Sequence, residues 1–193
     1  GVDVTLNQLI TVAQINSALL VFTPAANANG ASYANFNFKV QDDGGTANGG
    51  VDLETTSHTM TLNVNSVNDA PSGADHTVTS LVEDGSYAFV AGDFGFTDAI
   101  DGNSLAAVKI TSLPAAGTLQ LSGLDVTLNQ LIPVAQINLG LLIFTPAANA
   151  NGAAYANFNF KVQDDGGTLN GGVNLETTSH TMTLNVTAIN DAP

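Results

Sequence analysis

The sequence predicts an all-β protein: antiparallel Greek-key β-sandwich modules arranged in tandem. Three observations carry this prediction: a long internal repeat, period-two alternation of apolar and polar residues, and turn-forming Gly, Asn, Asp and Pro between the alternating stretches. Residues 1–71 align without a gap to residues 123–193 and differ from them at 11 of 71 positions, so the period is 122 residues. Residues 72–193 make one whole period ending in NDAP, and residues 1–71 supply only the later part of the period before it. The expected organisation is therefore the C-terminal part of an incomplete module over 1–71 and one complete module over 72–193, with ends that read as cuts in a longer chain.

The strands follow in order. In residues 35–41, Phe36, Phe38 and Val40 alternate with polar neighbours, and residues 59–64 do the same, which predicts two half-buried strands. Further strands are expected at 77–82, 87–91, 105–112, 118–121 and 141–145, with the repeat copies at 156–163 and 180–186. A single helical turn is expected at 134–138. Asn29-Gly30, Asn48-Gly49, Asn151-Gly152 and Asn170-Gly171 mark tight turns, because Asn and Gly tolerate positive φ. Phe158, Phe160, Val162, Met182 and Leu184 are the expected core of the complete module.

Composition narrows the function classes. Seventeen Asp and Glu face only Lys39, Lys109 and Lys161, with no Arg, for a formal net charge of -14. Phosphate recognition needs clustered cations, so nucleic acid and anionic lipid are poor partners, whereas a divalent cation is a good one. With no Cys there are no disulfides, thiolate metal sites or Cys nucleophiles. No run approaches 18 apolar residues, so no membrane insertion is expected. The chain also lacks a G-x-S-x-G elbow and any Trp, and has three Tyr, which leaves neither a hydrolase nucleophile nor an aromatic sugar platform; the reading is that it is not an enzyme. His58 and His180 are one position in two copies and His76 stands alone, so no His pair has metal spacing; these are expected as partly buried strand-end residues.

The adjacent carboxylates Asp164-Asp165 close a strand in both copies, the counterparts being Asp42-Asp43. Two neighbouring carboxylates repel unless a positive charge neutralises them, and loops that hold Asp beside Gly and Asn supply the oxygen donors calcium takes. The competing reading, strongest for Asp101-Gly102 and Asp84-Gly85, is that these Asp side chains cap turns. The spacing over 98–103 is too short for a twelve-residue EF-hand loop, and the Gly-rich stretch 44–53 is not iterated as a calcium β-roll requires.

VEDG (82–85), FTDAIDGN (96–103), FKVQDDGG (160–167) and NVTAINDAP (185–193), in that order, resemble the bacterial cadherin-like tandem repeats of large secreted surface proteins and adhesins. The resemblance covers essentially the whole chain. It implies a cadherin- or immunoglobulin-like fold, an extracellular place on the bacterial surface, and Ca2+ at module junctions. The implied ligands are Glu83, the acidic loop residues Asp98 and Asp101, the strand-end Asp164 or Asp165, and the linker pair Asn68 and Asp69. Asp42, Asp43, Asn190 and Asp191 are their equivalents in neighbouring repeats. The acidic loop reads D-x-x-D-G rather than D-x-D, and no Leu-Asp-Arg-Glu segment is present, so one or two ions per junction are implied rather than three. The leading expectation is a calcium-stiffened stalk whose partners are neighbouring repeats of the same chain. The alternatives are a filament subunit whose incomplete module is completed by strands of another copy, and a carbohydrate-binding or homotypic adhesion module that meets cell-surface glycans.

Overall fold

In the computed structural model, which describes residues 2–190, the chain divides into two compact units, residues 1–66 and 67–193. Both are built from β-strands with few helical turns. The division falls five residues before the expected boundary after Pro71, because Asn68 and the buried Pro71 belong with the second unit.

Unit 1 holds an α-helical turn, α1 (Val12–Asn16), a 3-10 turn at Ala47–Gly49, and two strands, β1 (Gly30–Phe38) and β2 (His58–Val64), paired antiparallel. The helical turn starts at a capping box in which Thr11 Oγ1 accepts from Gln14 N at 3.2 Å and Gln14 Oε1 accepts from Thr11 N at 2.9 Å. None of the described residues of unit 1 is buried.

Unit 2 contains β3 (His76–Val82), β4 (Tyr87–Ala88), β5 (Leu105–Ile110), β6 (Thr118–Leu121), β7 (Leu124–Asp125), β8 (Leu131–Pro133), α2 (Val134–Asn138), β9 (Leu142–Thr145), β10 (Gly152–Asp164) and β11 (His180–Thr187). They form a five-stranded sheet in the order β3-β11-β10-β5-β8 and a four-stranded sheet in the order β4-β9-β6-β7. Both sheets contribute to one apolar cluster. Phe89, which follows β4, meets Phe158 of β10 edge to face at 5.5 Å, and Phe94 meets Phe160 at 5.0 Å, contacts that join residues around the small sheet to the large one. All five expected core residues, Phe158, Phe160, Val162, Met182 and Leu184, are fully buried.

The strands fall where alternation placed them, with ends shifted by a few residues, and α2 occupies residues 134–138 as expected, but it is not single: α1, its repeat copy with the same VAQIN sequence, forms as well. β7 and β8 were not anticipated, since two- and three-residue strands are too short to show a period. A second departure concerns strand direction. The expected all-antiparallel sheet is corrected by β3, which runs parallel to β11 with His76 opposite Met182 and Val82 opposite Thr187. Alternation fixes which face a residue takes and carries no information on the direction of its neighbour.

The hairpin is the same in both units. Phe36 pairs with Met60 as Phe158 does with Met182, and a register irregularity lies at Gly30/Ala34 and at Gly152/Ala156. Within it Ser32 and Ala154 take positive φ, and their N–H groups donate to Asn63 Oδ1 and Asn185 Oδ1, each at 2.7 Å.

Because copies of one residue sit inside and outside a core, truncation separates burial from identity. Phe158→Ala is expected to lower the unfolding free energy of unit 2 by about 3–5 kcal/mol, whereas Phe36→Ala, 44% exposed, should leave it unchanged. Chemical denaturation of the full chain, followed by amide signals of unit 2, measures both.

Candidate functional site

The acidic cluster is assembled at one end of unit 2, where the entering segment, the loop after residue 97 and the end of β10 meet. The entering segment is held by a short bridge: Ser72 N donates to Thr97 O at 2.8 Å and Thr97 N to Ser72 O at 2.7 Å. Upstream of it, Asp69 N donates to Asp101 Oδ2 at 2.6 Å. Asn68 is bound more completely. Its carbonyl accepts from Val173 N at 2.8 Å, and its Nδ2 donates to Val173 O at 2.8 Å, Asp164 Oδ1 at 3.0 Å and Gly167 O at 3.3 Å. Its Oδ1 accepts from Asn103 Nδ2. Three acceptors around one amide nitrogen fix which way the Asn68 side chain points.

Glycine makes room for that side chain. A Cβ on Gly166 would collide with Asn68 Oδ1 and Asn103 Nδ2, and one on Gly172 would stand 3.1 Å from Asn68 Cβ. Gly166 of VQDDGG and Gly172 of NGG are therefore required by the linker they receive, whereas Gly167 and Gly171, with φ of 80° and 88° and open space beside them, are required by their own turns.

The loop carrying Asp98 and Asp101 folds around the Asp98 carboxylate. Oδ1 accepts from Asp101 N at 3.0 Å and Ile100 N at 3.3 Å, and Oδ2 accepts from Asn103 N at 3.1 Å. Partial burial works to raise the pKa of Asp98, but hydrogen bonds from the backbone N–H groups of Asp101, Asn103, Gly102 and Ile100 outweigh it and hold the group below its ordinary value. Asp165 ties this loop to the strand end: its Oδ1 accepts from Ser104 N at 2.8 Å while its own N–H donates to Ser104 O at 3.1 Å.

Asp164 is the unusual member. It is 1% exposed, its Oδ1 accepts from Gly166 N at 2.8 Å and from Asn68 Nδ2, and its Oδ2 is buried without a hydrogen-bond partner among the described residues. Burial raises its pKa; the bonds from Gly166 and Asn68 oppose this, and the charges of Asp98 and Asp165 add to it. A buried carboxylate oxygen with nothing to bind costs free energy that a bound cation would recover. The cluster as a whole carries carboxylates, Asn side-chain amides and the main-chain carbonyls of Gly167 and Val173, oxygens of the kind a hard cation such as calcium takes, while Asn68 reaches Asp164 through its Nδ2. Among the described residues, no three His, Cys, Asp or Glu side chains converge into a ready metal-holding group, so Asn and carbonyl oxygens are needed to complete such a site.

Of the expected ligands, Asn68, Asp69, Asp98, Asp101, Asp164 and Asp165 are brought together here. Glu83 is not: it follows β3 at the other end of the large sheet. Buried there, it accepts from Ile189 N at 2.6 Å and Asn151 Nδ2 at 2.7 Å, while its N–H donates to Thr187 O at 2.9 Å. The registers of β3, β10 and β11 place it near Gly152, the length of β10 away from Asp164, which for 13 residues is roughly 40 Å. Asn190 follows the segment that Glu83 holds, and Asp191 lies outside the described residues. In unit 1, Asp42 Oδ1 accepts from Gly44 N at 2.8 Å, as Asp164 does from Gly166, but Asp42 and Asp43 are exposed and the acidic-loop counterparts would number before residue 1.

Sequence reasoning missed Asn103, Asn151 and Glu176. Glu176 is buried and accepts from Gly73 N at 2.9 Å and Val162 N at 3.3 Å, with His180 Nε2 at 2.6 Å from its Oε1. Its signal was the conserved offset of four in the two copies, Glu54 to His58 and Glu176 to His180. His76 and His180 are partly buried at the starts of β3 and β11, as expected of strand-end histidines, whereas His58 at the start of β2 is exposed, contrary to that expectation.

No family model, curated protein or solved structure matches the chain. Among the described residues, no helix is long and apolar enough to cross a membrane.

The Asp164 geometry sets a pH dependence whose sign can be worked out. Its pKa is raised in the folded state, so between the ordinary value of 3.8 and the raised one the folded chain binds more protons than the unfolded chain. Stability contributed here is present below that window and is lost as pH rises through it. Asp164→Asn is expected to flatten this part of the unfolding free-energy profile of the metal-free chain, measured by denaturant titration from pH 3.5 upward. A second substitution tests the linker seat: Gly166→Ala should cost about 1–3 kcal/mol and abolish hydrogen-exchange protection of Val173 N, which donates to Asn68.

Proposed function

We propose that the chain is a calcium-stiffened structural repeat of an extracellular bacterial surface protein, in which Greek-key sandwich modules of cadherin-like type are joined end to end into a stalk. It works by holding and projecting other domains and carries out no reaction. The observation that carries this reading is Asp164 Oδ2, a buried carboxylate oxygen without a partner, set where the linker side chain of Asn68 enters the module. Asp164, Asp98, Asp101 and Asp165, with Asn68 and Asn103, are the residues that would hold the ion. Bound there, calcium supplies positive charge that relieves the repulsion among these carboxylates.

The sandwich reading is supported by two sheets sharing one core and by aromatic contacts between them. The stalk reading is supported by strand direction. Parallel β3 and β11 let the chain enter unit 2 at the Asp164 end and leave at the Glu83 end, so that modules can follow one another in line. Glu83, with Asn190 and Asp191 beyond the segment it grips, would serve the next junction rather than this one. Each junction would then draw Glu83 from the module before and the Asp164 cluster from the module after. Placement outside the cell follows from the resemblance to surface repeats and from the acidic composition.

Calcium is expected to raise the melting temperature of unit 2 within the full chain. With a dissociation constant of about 0.1–1 mM, ligand at about 100 times that value adds roughly 2.7 kcal/mol. Melts that coincide in EDTA and in excess calcium would remove the metal from the reading. The double variant Asp164→Asn, Asp165→Asn discriminates further. In calcium it should melt like the EDTA-treated parent, and in EDTA it should be at least as stable as that parent, since two repelling carboxylates are gone. Equal losses in both conditions would identify these residues as turn caps.

A further inference from the structure

Where the entering segment reaches the start of β11, one imidazole stands between two carboxylates. His180 Nε2 lies 2.6 Å from Glu176 Oε1, in the connection from β10 to β11, and its Nδ1 lies 3.4 Å from Asp75 Oδ1, on the entering segment. Both oxygens also hold main chain: Glu176 Oε1 accepts from Gly73 N at 2.9 Å, and Asp75 Oδ1 accepts from Thr181 N at 2.7 Å. The ring is packed between these elements. It meets Phe160 at 5.9 Å, and a Cβ on Gly73 would stand 3.1 Å from His180 Cδ2. Other ionisable groups near the start of β11 are engaged elsewhere: Lys161 Nζ donates to Thr177 O at 2.6 Å, and His76 faces Asp93 at 3.7 Å. Among the described residues, Glu176 and Asp75 are the charges that His180 meets.

Each ring nitrogen therefore faces an acceptor. A neutral imidazole carries one N–H, so its other nitrogen turns a lone pair on a carboxylate oxygen, whereas an imidazolium donates on both sides. We propose that His180 is a proton-operated clamp on the entering segment: charged, it joins Asp75 to Glu176, and neutral, it releases one of them. Histidine is the side chain whose charge ordinarily changes between about pH 5 and pH 8, so modest acidification of the surroundings operates the clamp. Glu176 is buried and also accepts from Val162 N, which leaves it no freedom to turn away. Asp75, with a side chain 74% exposed, is the side that lets go, and Thr181 N then loses its acceptor. The grip is present while His180 is charged and is lost as pH rises through its titration. None of the three residues belongs to the Asp164 cluster, so the clamp is independent of calcium.

The test follows the full chain by NMR in EDTA between about pH 8 and about pH 5. It reads the His180 ring shifts and the exchange protection of Thr181 N, corrected for the intrinsic exchange rate. Protection is expected to rise at least about tenfold toward the acid end, a step set by the strength of a hydrogen bond to a charged group, and to follow the ring shifts. Asp75→Asn keeps an oxygen for Thr181 N and alters an exposed side chain, so unit 2 stays folded; it should show no such rise, and neither should His180→Gln. The proposal fails if protection is equal at both ends of the range, if it rises toward the alkaline end, or if either variant keeps the parent's full response. It fails equally if the His180 ring does not titrate within the range.

Discussion

A chain that enters a module at one end and must leave at the other has to run its first and last strands in the same direction. In unit 2 that constraint is met by the parallel pairing of β3 with β11, and much else depends on it. It sends the entering segment to the end of β10, where Asn68 seats among Gly166, Gly167 and Gly172, and sends the departing segment to Glu83. Both ends of the module therefore grip main chain with buried carboxylates. Glu83 holds Ile189 N, and Glu176 holds Gly73 N. A carboxylate accepting a main-chain N–H makes a stronger hydrogen bond than a neutral pair, which restrains the points where a flexible connection would otherwise hinge.

The acidic cluster at the entering end departs from this economy. Glu83 and Glu176 spend both oxygens on donors, Asp98 is surrounded by four backbone N–H groups, and Asp165 is tied to Ser104. Among the described residues Asp164 alone is buried with one oxygen unspent. Its neighbours in charge are also negative, so burial and repulsion act in the same direction on it. A site that only needed a turn cap would be served by Asn, which has the same shape and no charge to desolvate.

What could be read from the sequence was the part governed by short-range pattern. The alternation of Phe158, Phe160 and Val162 located the core, the 122-residue offset located the modules, and adjacent Asp164-Asp165 located the cluster. What could not be read was direction and distance. Two- and three-residue strands such as β7 and β8 have no period to detect. The parallel run of β3 leaves no trace in its own composition, and without it Glu83 could not be separated from the Asp164 cluster. Glu176 was overlooked because one carboxylate in a Thr- and Ser-rich turn looks like a solvated residue. The bridge of Leu175 to Gln163 of β10 carries it to Val162 and Gly73, a contact that its own neighbours in sequence do not announce. The burial of Pro71 could not be read from the sequence, and it sets this residue with unit 2, whose boundary falls after residue 66.

The repeated irregularity of the hairpin bears on how such an array assembles. Ser32 and Ala154 adopt the same left-handed conformation against Asn63 and Asn185, and the strands that follow hold the same register with and without a covering segment. Pairing within each hairpin is thus settled by residues close together in the chain, which keeps that step local and fast. The covering strands must then find their place over longer distances, and in a series of near-identical hairpins every candidate site offers them the same contacts. Fidelity between neighbours falls to the connections alone: the short turn Ser122-Gly123, which joins β6 to β7, closes on its own module before a distant one can compete.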